Sequence, residues 1–133
     1  MPAKDGDVYT IYNKSAETYF TVECVVSPHA LQRGLSGRKS LESGTGMLFV
    51  FSTLAKQTMW MPDMNFPLDV VWLDETLSVA HISYGLQPCA SRSNCPPASS
   101  LYEVKYAIEM PEGDAKKYGY APGQSLAVAI NEA

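Results

Sequence analysis

The sequence predicts a mostly β fold, about six to eight short strands with one or two small helices, and three features carry that expectation. Residues 19–26 and 102–110 alternate side chains with the period of a strand. The run "GMLFVF" (46–51) is apolar on both parities and too short to stand as an isolated helix. Segments of this kind recur at regular spacing along the chain. A barrel or a sandwich accommodates that pattern, whereas alternating strand and helix units do not.

Taken in order, "YFTVECVV" (19–26) sets Phe20, Val22, Cys24 and Val26 against Thr21, Glu23 and Val25, so Cys24 is expected in the core as a small hydrophobe. "SPHALQRGLSGRKSL" carries helix punctuation: Ser27 as N-cap, Pro28 at the first helical position, and Gly34 or Gly37 at the stop. "GMLFVF" reads as a strand buried on both faces. "TMWM" (58–61) and "LDVVWLD" (68–74) read as two more, flanking a Pro-rich corner, and "LSVAHISYG" (77–85) is entered through the turn "DET". "YEVKYAIEM" (102–110) places Tyr102, Val104, Tyr106, Ile108 and Met110 on one face. Glu103, Lys105, Ala107 and Glu109 share the other, which is expected to meet water. "EGDAKKYGYAPGQ" (112–124) holds at most a helical turn closed by Gly119, and "SLAVAI" (125–130) is the last strand. No repeat, low-complexity tract or long linker divides the chain, so a single domain over 1–133 is expected.

A chain of 133 residues can bury roughly two thirds of its unfolded surface without staples. Apolar residues make up 46% and charged residues only 18%, against about 25% charged in an average soluble domain. Either the surface is rich in neutral polar groups, or part of it is covered by self-association or docking into an assembly. The net charge of −4 disfavours a nucleic-acid surface, which needs clustered cations. No apolar stretch approaches the roughly 18 residues of a membrane span. The start, "MPAKDGDVYTIYNK", lacks the apolar core of a secretory signal. A cytoplasmic or virion-associated location is therefore expected ahead of export.

Three stretches in fixed order, "RGLSGRKSLESGTGMLFVF" (33–51), "WMPDMNFPLDVVWLD" (60–74) and "YAIEMPEGDAKKYGYAPGQSL" (106–126), resemble the bacterial and archaeal family known as domain of unknown function 192. Its pattern has an Arg-Gly-Leu-Met turn, a Gly-Met-Leu-Phe strand, a Trp-Met step followed by Pro-Leu-Asp, and a late Glu and Gly-rich segment. Trp60, Met61, Pro67, Leu68 and Asp69 keep both identity and spacing. Ser36 stands where the family usually has Met, Met59 where it often has Phe, and Pro62, Asp63 and Met64 replace a common Lys-Asn-Thr. The resemblance covers about 20–130 and implies a compact, mostly antiparallel β-barrel.

Asp69 is the first candidate site residue. In a strand through "LDVVWL" it shares a face with Val71 and Leu73, where a carboxylate needs a partner. The resemblance places Arg33 and Arg38 near this corner. One expectation is an Arg38 to Asp69 ion pair; the other is that Asp69 caps the Pro67 corner through a backbone amide. Trp60, Met61 and Trp72 are expected in the core rather than on a ligand platform. Cys89 and Cys95 lie six apart in the turn-rich "QPCASRSNCPP" (87–97). A disulfide there is worth roughly 2 to 2.5 kcal/mol on chain-entropy grounds, with two free thiols as the alternative in a reducing compartment. Zinc needs three or four ligands, and neither His29 nor His81 is adjacent in sequence, so no metal and no cofactor is expected. His29 reads as solvated and His81 as a satisfied core histidine. Neither stands beside a nucleophile motif. Asp63, Asp69 and Glu109 have no spacing that selects a catalytic pair, so no catalytic residue is assigned. "GRKSLESGTG" reads as a turn.

Two functions from different classes fit these features. The first is a non-catalytic barrel acting through its surface, as a homo-oligomer or bound to a protein partner, with a virion accessory among the settings; no nucleic acid and no membrane is involved. The alternative is a small-ligand-binding or enzymatic domain with its pocket at the corner of Arg33, Arg38, Trp60, Met61 and Asp69.

Overall fold

The strand periodicities become seven strands and two very short helices in the computed structural model, which describes residues 2–130. In chain order these are β1 (Val8–Asn13), β2 (Thr18–Val25), α1 (Pro28–Arg33), β3 (Thr45–Met59), β4 (Leu68–Leu73), β5 (Val79–Leu86), β6 (Ala98–Pro111), α2 (Asp114–Lys117) and β7 (Leu126–Ile130). They form one sheet in the order β5-β4-β6-β3-β2-β1-β7, curled into an open half-barrel. Its two edges touch where Val79 N–H donates to Gln124 O at 2.8 Å and Leu126 N–H donates to Leu77 O at 3.0 Å.

The sheet is mostly antiparallel, as expected, but the expected barrel is corrected to an open half-barrel, and one pairing is parallel. β2 and β3 run parallel, with Val22 opposite Gly46 and Cys24 opposite Leu48. Parallel neighbours need a long crossover, and residues 26–44, including α1, supply it. α1 starts as expected: the Ser27 side chain accepts from Ala30 N–H at 3.3 Å, and Pro28 opens the helix. "TMWM" is not a separate strand. Thr58 and Met59 finish β3, whose pairing with β6 shifts register between Val50 and Ala55 and again between Lys56 and Thr58. Such irregularities bend a strand. β1 went unpredicted because one of its inward residues, Asn13, is polar; its side-chain amide donates to Gln124 Oε1 at 3.0 Å.

Both faces of the sheet are covered. β4 is buried throughout, with Leu68, Val70 and Trp72 in one apolar cluster and Val71 and Leu73 in the other, as their alternation requires. The crossover lays Leu35 on the Trp72 side, and Ala115 and Tyr120 close the Val71 side. The Trp72 indole N–H donates to Ser83 Oγ at 3.0 Å, so its burial leaves no donor unpaired.

Asp69 is 1% exposed, and its charge is met by backbone. Oδ1 accepts from Gly85 N–H at 2.8 Å; Oδ2 accepts from Gly113 N–H at 3.0 Å and Ala115 N–H at 3.1 Å. The Arg38 to Asp69 ion pair therefore does not form, and the amides belong to β5, to the turn after β6 and to the start of α2 rather than to the Pro67 corner. Arg38 pairs with Glu23 at 3.2 Å on the surface. Amides fixed by the fold reach a buried carboxylate without the rotamer entropy a long arginine would lose. Gly113, at φ 93°, takes the left-handed turn that aims two of these amides inward.

Asp69→Ala leaves three amides without their acceptor and is expected to cost about 3 kcal/mol or more. Asp69→Asn keeps one carbonyl oxygen and is expected to cost less. Urea unfolding of both variants measures the difference; an alanine variant within about 0.5 kcal/mol of wild type contradicts the assignment.

Candidate functional site

The strand face expected to meet water holds a buried acid. Glu109 lies on β6 opposite Met47 of β3 and Val70 of β4, and it is only 6% exposed. The same face of β6 carries Ala107 into the apolar cluster around Trp72. The expectation that this side of β6 is solvated is thus corrected for its second half. β4 and the crossover cover what an edge strand would expose. Among the described residues, no hydrogen-bond donor and no cation partners the Glu109 carboxyl. Burial pushes its pKa up to about 8.

Above Glu109 opens a cleft of about 200 Å³. Phe49 and Leu35 are buried at its base, while Arg33 and Trp60 stand at the exposed mouth. Phe51, Thr58 and Met59 complete the β3 wall. The opposite wall is the end of α1, where Gly34 caps the helix at φ 49°. A Cβ on Gly34 would stand 3.0 Å from Phe49 Cζ and 3.6 Å from Glu109 Oε1, so the missing side chain brings this backbone close to the carboxyl. Phe49 and Phe51 lie with ring centroids 6.4 Å apart.

Trp60 is 49% exposed, which corrects its expected place in the core. The period of two explains it. Met59 and Met61 turn inward and are buried, and the residue between them turns out. Its ring is braced by Arg92, whose guanidinium sits 5.9 Å from the ring centroid and pairs with Asp63 at 2.7 Å. Arg92 belongs to the loop closed by the Cys89–Cys95 disulfide, which the structure contains as expected. Cys89 N–H donates to Met61 O at 3.1 Å, tying that loop to the Trp60 turn.

Of the five residues placed at the anticipated pocket, Arg33 and Trp60 line this cleft, and Met61 packs in the core beneath them. Arg38 is engaged with Glu23. Asp69 borders a different, more open hollow with Tyr84, Glu112 and Lys116, and its oxygens are already committed to backbone. Asp63, Asp69 and Glu109 occupy three separate environments: an exposed ion pair, an amide cradle and the cleft. His29 is exposed on α1. His81 is half-buried on β5 rather than in the core. Cys24 is fully buried as expected, and desolvation pushes its thiol up to about 12. Among the described residues, no group of three or more His, Cys, Asp or Glu side chains is arranged to hold a metal.

Glu109 escaped assignment because its strand alternates so cleanly. The signal that could have found it is the run Ala107, Ile108, Met110, which makes the end of β6 apolar on both parities around one acid. Residues 33–36, Trp60 and Glu109, far apart in sequence, converge here.

Residues 10–128 match the family described as Uncharacterized ACR, domain of unknown function 192. A solved structure from Sinorhizobium meliloti 1021, provisionally described as a transcription regulator, is 27% identical with a TM-score of 0.80, over 92% of each chain. A protein of unknown function from Novosphingobium aromaticivorans DSM 12444 is 22% identical with a TM-score of 0.79, over 90% of this chain and 83% of its own. No curated protein matches.

The Glu109 environment has a pH signature. The native carboxyl keeps its proton up to about 8, while an unfolded one releases it near 4.5, so between those values the native state binds more protons and stability falls as pH rises. At about 1.4 kcal/mol per pH unit, the expected loss across that window is a few kcal/mol. Glu109→Gln, neutral throughout, is expected to flatten the slope. Urea unfolding at pH 5, 7 and 8.5 tests this, and a slope that survives the substitution contradicts it.

Proposed function

This chain belongs to the family of domain of unknown function 192, and from that premise we propose that it is a small-ligand-binding domain whose site is the Glu109 cleft. One observation carries the reading: a buried carboxyl with no partner among the described residues, at the floor of an open cleft. Burying an unpaired polar group is costly, and a ligand that supplies the missing hydrogen-bond partner recovers that cost. The volume of about 200 Å³ is below the roughly 300–1,000 Å³ of drug-sized sites, which suits a small molecule. Its lining mixes the apolar Phe49, Phe51 and Trp60 with the polar Gln32, Ser36 and Thr58, so a ligand can meet both kinds of contact.

Binding is favoured over chemistry. A carboxyl with a raised pKa can act as general acid or base, but among the residues lining the cleft no histidine, cysteine or second acid joins Glu109, and no metal cluster is arranged among the described residues. The Sinorhizobium protein's description is not extended to this chain, whose net charge of −4 gives little to attract a polyanion.

A second reading, a surface that meets another protein, draws on Leu54, Leu101 and Tyr102, which are 42%, 53% and 57% exposed in β3 and β6. It makes no use of the Glu109 carboxyl and ranks behind for that reason.

The two tryptophans provide the test. Trp72 is fully buried and Trp60 half-exposed at the mouth, so a fragment bound in the cleft is expected to change Trp60 emission alone. Trp60→Phe should abolish the fluorescence response while leaving most of the thermal shift caused by the same fragment. Fragments that stabilise the protein equally after Glu109→Gln, with no effect on Trp60, would refute the site.

A further inference from the structure

We propose that the cleft takes a small organic monocation, a protonated primary amine or amidinium on an apolar body, with its charged head on Glu109 and its body against Phe49, Phe51 and Trp60. The proposal rests on the reading of the cleft as a ligand site and adds the ligand's charge. An ionised carboxylate only accepts hydrogen bonds and an ammonium only donates them, so each satisfies the other completely. The walls agree. Aromatic faces carry negative potential and attract cations, increasingly so when water is excluded, and three of the lining residues are aromatic. A ligand carboxylate at the floor would instead bring its charge against three electron-rich rings.

The other polar side chains of the cleft fit a single positive charge. Thr58, Ser36 and Gln32 are neutral, and Arg33 is the one cation lining it, exposed at the mouth. Arg33 is free to be screened by solvent. A second positive charge on the ligand would approach it, which favours a monocation over a polyamine.

Seating the cation requires Glu109 to ionise. The step balances as protonated Glu109 plus the ammonium giving the carboxylate–ammonium pair, with one proton released to buffer. Nothing is oxidised or reduced, and no covalent bond forms between protein and ligand.

The experiment is titration calorimetry at pH 6.5 with benzylamine, benzyl alcohol and benzoate, each in two buffers of different ionisation enthalpy. The expected result is that benzylamine binds at least tenfold more tightly than the other two, releases close to one proton, and loses tenfold or more in affinity to Glu109→Gln. The proton count on the wild-type protein stands even where the variant folds poorly. Alcohol or benzoate binding as tightly as the amine, or amine binding without proton release, overturns the cation while the cleft remains a ligand site. If none of the three binds at millimolar concentration and amide resonances around Glu109 and Gly34 do not move, both readings fall.

Discussion

The carboxylate of Asp69 and the three backbone amides around it hold together the part of the sheet on which everything else is mounted. β4 lies between β5 and β6, and this one side chain reaches Gly85 at the end of β5 and the turn that leaves β6. Without it, β4 would keep its ladder bonds, but Gly85 and the Gly113–Ala115 segment, both beside the start of β4, would lose the acceptor they share. Glu109 sits one ladder step away, opposite Val70, and projects from the other face of the same strands. Two buried acids in adjacent positions thus have opposite fates. The fold answers one with three donors and leaves the other, at the floor of a cleft, without a donor among the described residues. Environment, not residue type, separates an architectural carboxylate from one available to a ligand.

Much of the fold was legible because its strands obey simple parity. The alternation through Phe20, Val22 and Cys24 and the doubly apolar "GMLFVF" both found their places, as did Ser27, Pro28 and Gly34 around the short helix. What parity could not reveal is which strands are interior. β6 reads as half-solvated, yet neighbours on both sides and a crossover above bury Glu109 along with Ile108. Nor does local pattern report strand direction, so the parallel pairing of β2 and β3 was invisible. The site was half legible. Arg33 and Trp60 stood among the candidates, but their companion was sought in the one acid that looked misplaced, Asp69, rather than in Glu109, which looked ordinary.

The cleft's walls are braced by contacts within the protein. Trp60 projects from a turn, the kind of position where an exposed indole would sample several rotamers. Arg92 stacks on it from a disulfide-closed loop, Asp63 holds Arg92, and Cys89 bonds back to Met61. Each contact is modest, since the exposed ion pair contributes about 0 to 1 kcal/mol. Their joint effect is to fix one wall, which lowers the ordering entropy lost on binding. The opposite wall is stiff for another reason: Gly34 lets the backbone itself, rather than a rotatable side chain, approach Phe49 and the carboxyl.

The parallel pairing of β2 and β3 has a consequence beyond topology. Two strands that point the same way oblige the chain to travel back across the sheet, and residues 26–44 make that journey over the face where Glu109 waits. This detour forms one lip of the opening, through Arg33, Gly34 and Leu35, yet its length and composition are not dictated by the hydrogen-bond register on either side. The domain therefore has a fixed floor and an adjustable rim. Changes in what the opening admits can accumulate along the return path while the ladders beneath stay as they are.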